Sequence, residues 1–321
     1  MRAPSGGGTC TVAVLKSLSD RHVAMIGAVD PRLRVVRVTD RMAWLNEASD
    51  AEIIMGFRPL RDGAVRAQHL RWVHAIGAGV ENLCQDVAGT EIRVTNSHVH
   101  GDTIADHVFA FILAHTRRLR EAQEHQTARR WVHDELRGTP LAGRTIGILG
   151  LGTIGAAVAR RAVAFGMRVV GTKRHPTPVP GVERVLPPEA IDAVLREASV
   201  LALTLPLTPA TRGMLGAREL ALLPEGAFVV NIGRGGQIDE APLVAALQSG
   251  RLGGAGLDVF ADEPLPPESP LWAAPRLMIT PHVAGDFPGY MERMIPVFCE
   301  NLRRYLAGQP LQNVVDTALG Y

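Results

Sequence analysis

The chain has 321 residues, which at about 150 per domain points to two domains, each able to bury a core without a disulfide or metal staple. Hydrophobic residues make up 46% and charged residues 21%, so a disordered or collagen-like chain is excluded. Thirty-four basic side chains against 32 acidic leave a net charge of +2, too balanced to argue for nucleic acid or an anionic membrane as partner.

Met1 to Thr9 is Gly-rich with no apolar h-region, so it reads as a frayed lead-in, not a secretory signal. No run of about 18 apolar residues exists, and no membrane span is expected. Lys16 and Lys173 are the lysines, and neither lies in a G-x-x-x-x-G-K-[ST] string, which excludes a P-loop. Cys10, Cys84 and Cys299 are odd in number, far apart and form no C-x-x-C, so a reducing cytoplasm fits.

In chain order, short β-branched runs alternate with helical stretches. Val12 to Leu15, Leu33 to Val38, Glu52 to Met55, Arg71 to Ile76 and Ile92 to Thr95 read as buried strands at βαβ spacing, hence a parallel sheet. Ile104, Val108, Phe111, Ile112, His115 and Leu119 recur at helical spacing, with Asp102 or Thr103 as the expected cap. Glu121 to Arg137 is polar and reads as an exposed arm or linker. The alternation then restarts, with strands at Thr145 to Leu149, Arg168 to Thr172, Val200 to Leu205, Ala227 to Ile232, Gly254 to Asp258 and Arg276 to Thr280. Helices are expected over Ile154 to Phe165, Pro187 to Ala198 and Ala241 to Leu247, and a closing one over about Pro288 to Leu306. That last helix is expected to return to the first domain and make it discontinuous.

Gly150-Leu151-Gly152-Thr153-Ile154-Gly155 is G-x-G-x-x-G between a strand and a helix, the context that a dinucleotide pyrophosphate needs. Its first glycine permits the turn, the second admits the backbone to the pyrophosphate, and the third lets helix and strand pack. An NAD site usually carries Asp or Glu about 20 residues on, to bind the ribose 2′-OH. Here Lys173, Arg174 and His175 stand there instead. Two cations suit a 2′-phosphate, so NADP(H) is favoured, with NAD(H) the alternative.

Three strings follow at strand ends: Asn231-Ile232-Gly233-Arg234-Gly235-Gly236, Leu257 through Asp258 to Glu263-Pro264, and Thr280-Pro281-His282-Val283-Ala284-Gly285. A guanidinium can grip a carboxylate bidentately, a histidine transfers protons near neutral pH, and a glutamate fixes its tautomer. Taken in this order, the strings resemble the D-isomer-specific 2-hydroxyacid dehydrogenases over nearly the whole chain. The resemblance implies an α/β fold of two doubly wound parallel-sheet domains. A Rossmann-type cofactor domain (residues 101–285) would be inserted into a flavodoxin-like substrate domain (1–100 and 286–321).

It also implies Arg234, Glu263 and His282 as the catalytic set. Asp258 would lie near the nicotinamide, and Leu205, Pro206, Ile232, Gly233 and Gly285 along the cofactor. Gly77-Ala78-Gly79-Val80-Glu81 resembles the substrate loop, so Ala78 and Gly79 join Arg234 and His282 as substrate-binding residues. The implied reaction is hydride transfer between NADP(H) or NAD(H) and a small 2-keto acid, in a homodimer. A non-catalytic dinucleotide sensor and a D-3-phosphoglycerate dehydrogenase are the alternatives. The latter is disfavoured because no regulatory extension follows Tyr321. Glutamine where Glu263 stands would have suggested formate as substrate.

His98, His100, Asp102, Asp106 and His107 offer metal-type ligands, but their spacing matches no common site and none is expected to hold a metal. Trp72, Trp131 and Trp272 are assigned to packing, with a partner subunit's site as the alternative for Trp131. Phe57 and Arg58 are expected near the substrate side chain, where Arg58 either meets a second acidic group or faces water.

Overall fold

The structure is a computed structural model that describes residues 8–40, 42–59 and 67–321. The greater part of the Met1 to Thr9 lead-in therefore lies outside the described residues. Two compact units emerge, Met1–Val99 with Phe287–Tyr321, and His100–Asp286.

The first unit holds a five-stranded parallel sheet of β1 (Cys10–Leu15), β2 (Leu33–Val38), β3 (Ile53–Met55), β4 (Trp72–His74) and β5 (Arg93–Thr95). Its order, β2-β1-β3-β4-β5, is the flavodoxin-like one. Successive side chains of a strand face opposite sides of a sheet. Val12, Val14, Ile53, Met55 and Trp72 thus pack on one side, with Phe298, Leu302 and Tyr305 of the closing helix Tyr290–Leu306. Ala13, Ile54 and Val73 pack on the other, with Trp44, Leu83 and Cys84. Both faces are covered over the central strands β1, β3 and β4, which are buried almost throughout, whereas the edge strand β2 keeps two arginines toward solvent.

The second unit holds β6 (Thr145–Leu149), β7 (Arg168–Thr172), β8 (Arg184–Leu186), β9 (Val200–Leu203), β10 (Ala227–Asn231), β11 (Leu252–Leu257) and β12 (Leu277–Ile279). The order β12-β11-β10-β9-β6-β7-β8 is the doubly wound Rossmann order extended by one strand. One face carries the helices Gly101–Thr116 and Thr153–Ala164, through Val108, Ile112, Ala157 and Val158. The other carries Ile191–Glu197, Ala217–Leu222 and Glu240–Gln248, through Val194, Leu220 and Leu243. The strand order reverses between β6 and β9, so a crevice for a ligand opens at their carboxyl ends.

Several expectations are corrected. Strand β8 is a half-buried edge of three residues, too short and too polar to stand out in the sequence. The arm expected over Glu121 to Arg137 begins as a helix, Leu119–Thr127, which good helix formers support without any buried residue. The helix Gly101–Thr116 starts after His100 with no side-chain cap. Asp102 instead binds Arg160 at 2.7 Å and Arg161 at 3.1 Å. Of the tryptophans assigned to packing, Trp72 is fully buried, but Trp131 is 96% and Trp272 55% exposed.

His74 of β4 is fully buried between two hydroxyls, with Nδ1 2.7 Å from Thr95 Oγ1 and Nε2 3.0 Å from Ser97 Oγ. Burial lowers its pKa from 6.5 to about 4. The unfolded chain therefore binds more protons than the native one between those values, and stability must fall as pH drops through that window. His74→Asn is expected to flatten the acid limb of a urea-unfolding series run from pH 7 to pH 4.5. An unchanged slope would contradict the buried neutral imidazole.

Candidate active site

The dinucleotide cradle starts where β6 ends. Gly150 has φ +103, a conformation that side chains resist, and a Cβ there would lie 2.9 Å from Leu205. A Cβ on Gly155 would lie 2.2 Å from the Gly150 carbonyl oxygen, so only glycine lets the helix Thr153–Ala164 come this close to the turn. Thr204 Oγ1 donates to the same carbonyl at 2.6 Å. Exposed Gly152 begins the helix without a side-chain cap, and a Cβ on it would meet nothing within 4 Å. An open space before uncapped helix N–H groups fits a pyrophosphate. Thr153 is exposed and Ile154 half-buried beside it.

At the end of β7, Thr172 is buried, Lys173 half-buried and Arg174 exposed. Lys173 Nζ donates to Thr177 Oγ1 at 2.8 Å, which holds the ammonium near the strand terminus where NAD sites usually carry a ribose-binding Asp or Glu. No acidic residue occupies Lys173, Arg174 or His175.

Arg234, Glu263 and His282 follow β10, β11 and β12 respectively. Glu263 Oε2 lies 2.7 Å from His282 Nδ1, and its Oε1 accepts from the Phe260 N–H at 2.9 Å. One oxygen anchors the carboxylate, and the other orients the imidazole. His282 itself has φ +57, an uncommon conformation for a residue with a side chain. Asp258 is 1% exposed, and the structure gives its carboxylate an internal use. It accepts from Thr280 Oγ1 at 2.6 Å, Val283 N at 3.0 Å and Ala284 N at 2.9 Å, so it pins the loop that bears His282. Gly285 closes that loop beside His100, and Ile232, Gly233, Leu205 and Pro206 form the loops after β10 and β9.

In the other unit, Ala78 and Gly79 lie on the loop that leaves β4, with Ala78 half-buried and Gly79 exposed. The Arg58 side chain remains 34% exposed. It is paired with Asp86 at 2.9 Å, and Phe57 packs against the core. Among the described residues, no group of three His, Cys, Asp or Glu is arranged to hold a metal ion. Asp106 binds Arg161 at 2.7 Å, and His107 Nε2 lies 2.9 Å from Thr280 Oγ1.

Residues 109–284 match the D-isomer specific 2-hydroxyacid dehydrogenase, NAD binding domain. The chain belongs to the D-isomer-specific 2-hydroxyacid dehydrogenase family. It is 37% identical to glyoxylate/hydroxypyruvate reductase B of Yersinia enterocolitica over 262 residues, 78% of this chain and 79% of that protein. It is 33% identical over 312 residues to D-3-phosphoglycerate dehydrogenase of Mycobacterium leprae, 95% of this chain but 58% of that protein. In structure it resembles the NADPH-dependent glyoxylate/hydroxypyruvate reductase of Sinorhizobium meliloti, solved with NADP and sulfate. The TM-score is 0.86 at 30% identity, covering 98% of this chain and 100% of that one. As a 2-hydroxyacid dehydrogenase the protein is an NAD(P)-dependent oxidoreductase that interconverts 2-keto and D-2-hydroxy acids.

Two residues around the dehydrogenase's Arg234 escape a reading of the sequence alone. Asn231, 1% exposed, donates through Nδ2 to the Arg234 carbonyl at 2.9 Å and accepts from the Gly233 N–H at 3.0 Å. Gln237, fully buried, donates to the carbonyls of Leu205 at 2.8 Å and Pro206 at 3.1 Å, and accepts from the Arg234 N–H at 3.2 Å. Asn231 lies inside the motif string and Gln237 just beyond it, but neither residue type signals chemistry, so only their contacts mark them. Replacing Glu263 by Gln keeps its shape but removes the carboxylate that faces His282 Nδ1. We expect Glu263→Gln to lower kcat by about two orders of magnitude with KM for the dinucleotide unchanged, read by steady-state kinetics. An unaltered kcat would show that the pair only positions the loop.

Proposed function

We propose that the protein is an NADPH-dependent reductase of small 2-keto acids of the glyoxylate and hydroxypyruvate type, giving the D-2-hydroxy acid. The observation that carries the catalytic part is the 2.7 Å pair between His282 Nδ1 and Glu263 Oε2. With Nδ1 engaged by a carboxylate, Nε2 is the nitrogen that carries the transferable proton.

The nicotinamide cofactor supplies the hydride when bound. The chain supplies the rest. His282, protonated and stabilised by Glu263, gives its proton to the oxygen of the forming alcohol. Arg234 pairs with the substrate's carboxylate through its planar guanidinium. The Gly77–Val80 loop is read as the substrate loop of the first unit, with backbone N–H groups of the kind that suit a carboxylate. Asp258 acts on the reaction through the loop it pins.

Selection for NADPH rests on Lys173 and Arg174 at the end of β7, and the Sinorhizobium relative was solved with NADP. A 2′-phosphate gains charge-assisted hydrogen bonds there, whereas the carboxylate that would favour the NAD ribose is missing. The Yersinia relative's name supports a small substrate. We further read the protein as a cytoplasmic homodimer. Three buried free cysteines suit a reducing compartment, and exposed Leu119 and Trp131 on one arm suit a second copy.

Two measurements test this reading. His282→Ala should lower kcat by about two to four orders of magnitude, with dinucleotide binding retained in a fluorescence titration. The unmodified enzyme should show a kcat/KM for NADPH about tenfold or more above that for NADH, allowing for solvent screening of the exposed cations. Lys173→Asp combined with Arg174→Ala should shift the preference toward NADH, mainly through KM. Equal or better efficiency with NADH in the unmodified enzyme would reduce the basic pair to a solvated turn.

A further inference from the structure

The loop after β4 is gripped at three successive carbonyls. The Tyr290 hydroxyl donates to the Ile76 carbonyl. The Ser97 N–H donates to the Gly77 carbonyl at 3.4 Å. The Asn96 amide, through Nδ2, donates to the Ala78 carbonyl at 2.9 Å. In a planar trans peptide, a residue's C=O and the next residue's N–H point in opposite directions. Each grip therefore turns an N–H away from its own partner: that of Gly77, of Ala78 and of Gly79 in turn.

Among the described residues, these three N–H groups donate to no backbone carbonyl. A Cβ on Gly77 would meet nothing within 4 Å, and Gly79 is exposed, so the loop has an open side. The gripping residues are themselves held. Asn96 is 6% exposed, with its N–H on the Asn313 carbonyl at 3.2 Å. Ser97 is fully buried and its Oγ lies 3.0 Å from His74 Nε2. His74 and Trp72 Nε1 share the Thr95 hydroxyl, at 2.7 and 2.8 Å. A rigid polar chain thus runs from the sheet interior to the loop.

We propose that Asn96 and Tyr290 are positioning residues for substrate. By gripping the Ala78 and Ile76 carbonyls they aim the Gly79 and Gly77 N–H groups at the substrate's carboxylate. This rests on the proposed reading of the loop as the carboxylate-holding element. Both residues act on the loop through its carbonyls, so their effect falls on affinity for the keto acid, not on the chemical step.

The test is steady-state kinetics of the full-length enzyme with NADPH and graded glyoxylate, with pyruvate as a second probe. Asn96→Ala and Asn96→Asp both remove the donor, and Asp keeps the shape. Each is expected to raise KM for glyoxylate by about tenfold, with kcat and KM for NADPH within twofold of the unmodified enzyme. Tyr290→Phe, which removes a single oxygen, is expected to act in the same direction, and it decides the matter should the Asn96 variants fail to fold. Folded variants with unchanged KM for both acids would overturn the proposal. So would a loss of kcat that tracks a lowered melting temperature without the KM split, since that marks a structural role alone. If the unmodified enzyme reduced no 2-keto acid, the reading of the loop would fall and this proposal with it. Normal turnover with an insensitive Asn96 removes this proposal alone.

Discussion

A buried carboxylate costs several kcal/mol unless its oxygens are paired, and Asp258 is 1% exposed. Thr280, Val283 and Ala284 supply that pairing, at 2.6, 3.0 and 2.9 Å. All three belong to the segment that leaves β12. The need to satisfy one charge at the end of β11 therefore dictates the course of the neighbouring chain. His282 lies between those contacts, and its positive φ is the local strain that this pinning sustains. His107 extends the network from the helix Gly101–Thr116, with Nε2 2.9 Å from the Thr280 hydroxyl. Without the Asp258 anchor, neither the histidine's backbone conformation nor its meeting with Glu263 would be specified.

Close approach of backbone to backbone is the second constraint. A Cβ on Gly235 would fall 1.8 Å from the Phe260 carbonyl carbon, so the loop bearing Arg234 can nest against the loop bearing Glu263 only with glycine there. Gln237 ties the same loop to the one after β9 through the Leu205 and Pro206 carbonyls. The ends of β9, β10, β11 and β12 are thus cross-braced by buried polar groups, each with its hydrogen bonds made. Satisfied networks of this kind rigidify a site, because losing one member leaves the others unpaired in low dielectric.

The two sheets apply one rule to different purposes. In both, functional loops leave the carboxyl ends of parallel strands, where helix N-termini and exposed N–H groups gather. The second unit places the glycine turn after β6, at the point where strand order reverses. The first unit places Gly77 to Val80 after β4 and braces it from the end of β5 and the start of the closing helix. The chain's last helix thus meets this loop through Tyr290 as well as packing on the sheet.

What the sequence alone determined here is what local chemistry encodes. Apolar runs predicted β6 and β7 to the residue, because strands buried on both faces carry an unbroken signal, and β2 was matched through its apolar Leu33, Val35, Val36 and Val38 although it is a half-exposed edge. Gly150 to Gly155 declared a dinucleotide turn because its glycines lie at fixed spacing between a strand and a helix, with Gly150 and Gly155 too crowded for a side chain and Gly152 open before the helix. Arg234, Glu263 and His282 stood out through their strings, and the structure pairs the last two. Tertiary structure decided the rest, since it depends on partners far apart in the chain. Arg58 could not be assigned until Asp86, 28 residues on, appeared beside it. The exposure of Trp131 and Trp272 followed from where the fold placed them, not from their own apolar character. Asn96, Asn231 and Gln237 carry no chemical signature of their own. Their importance lies in which carbonyls they reach, and those distances exist only once the chain has folded.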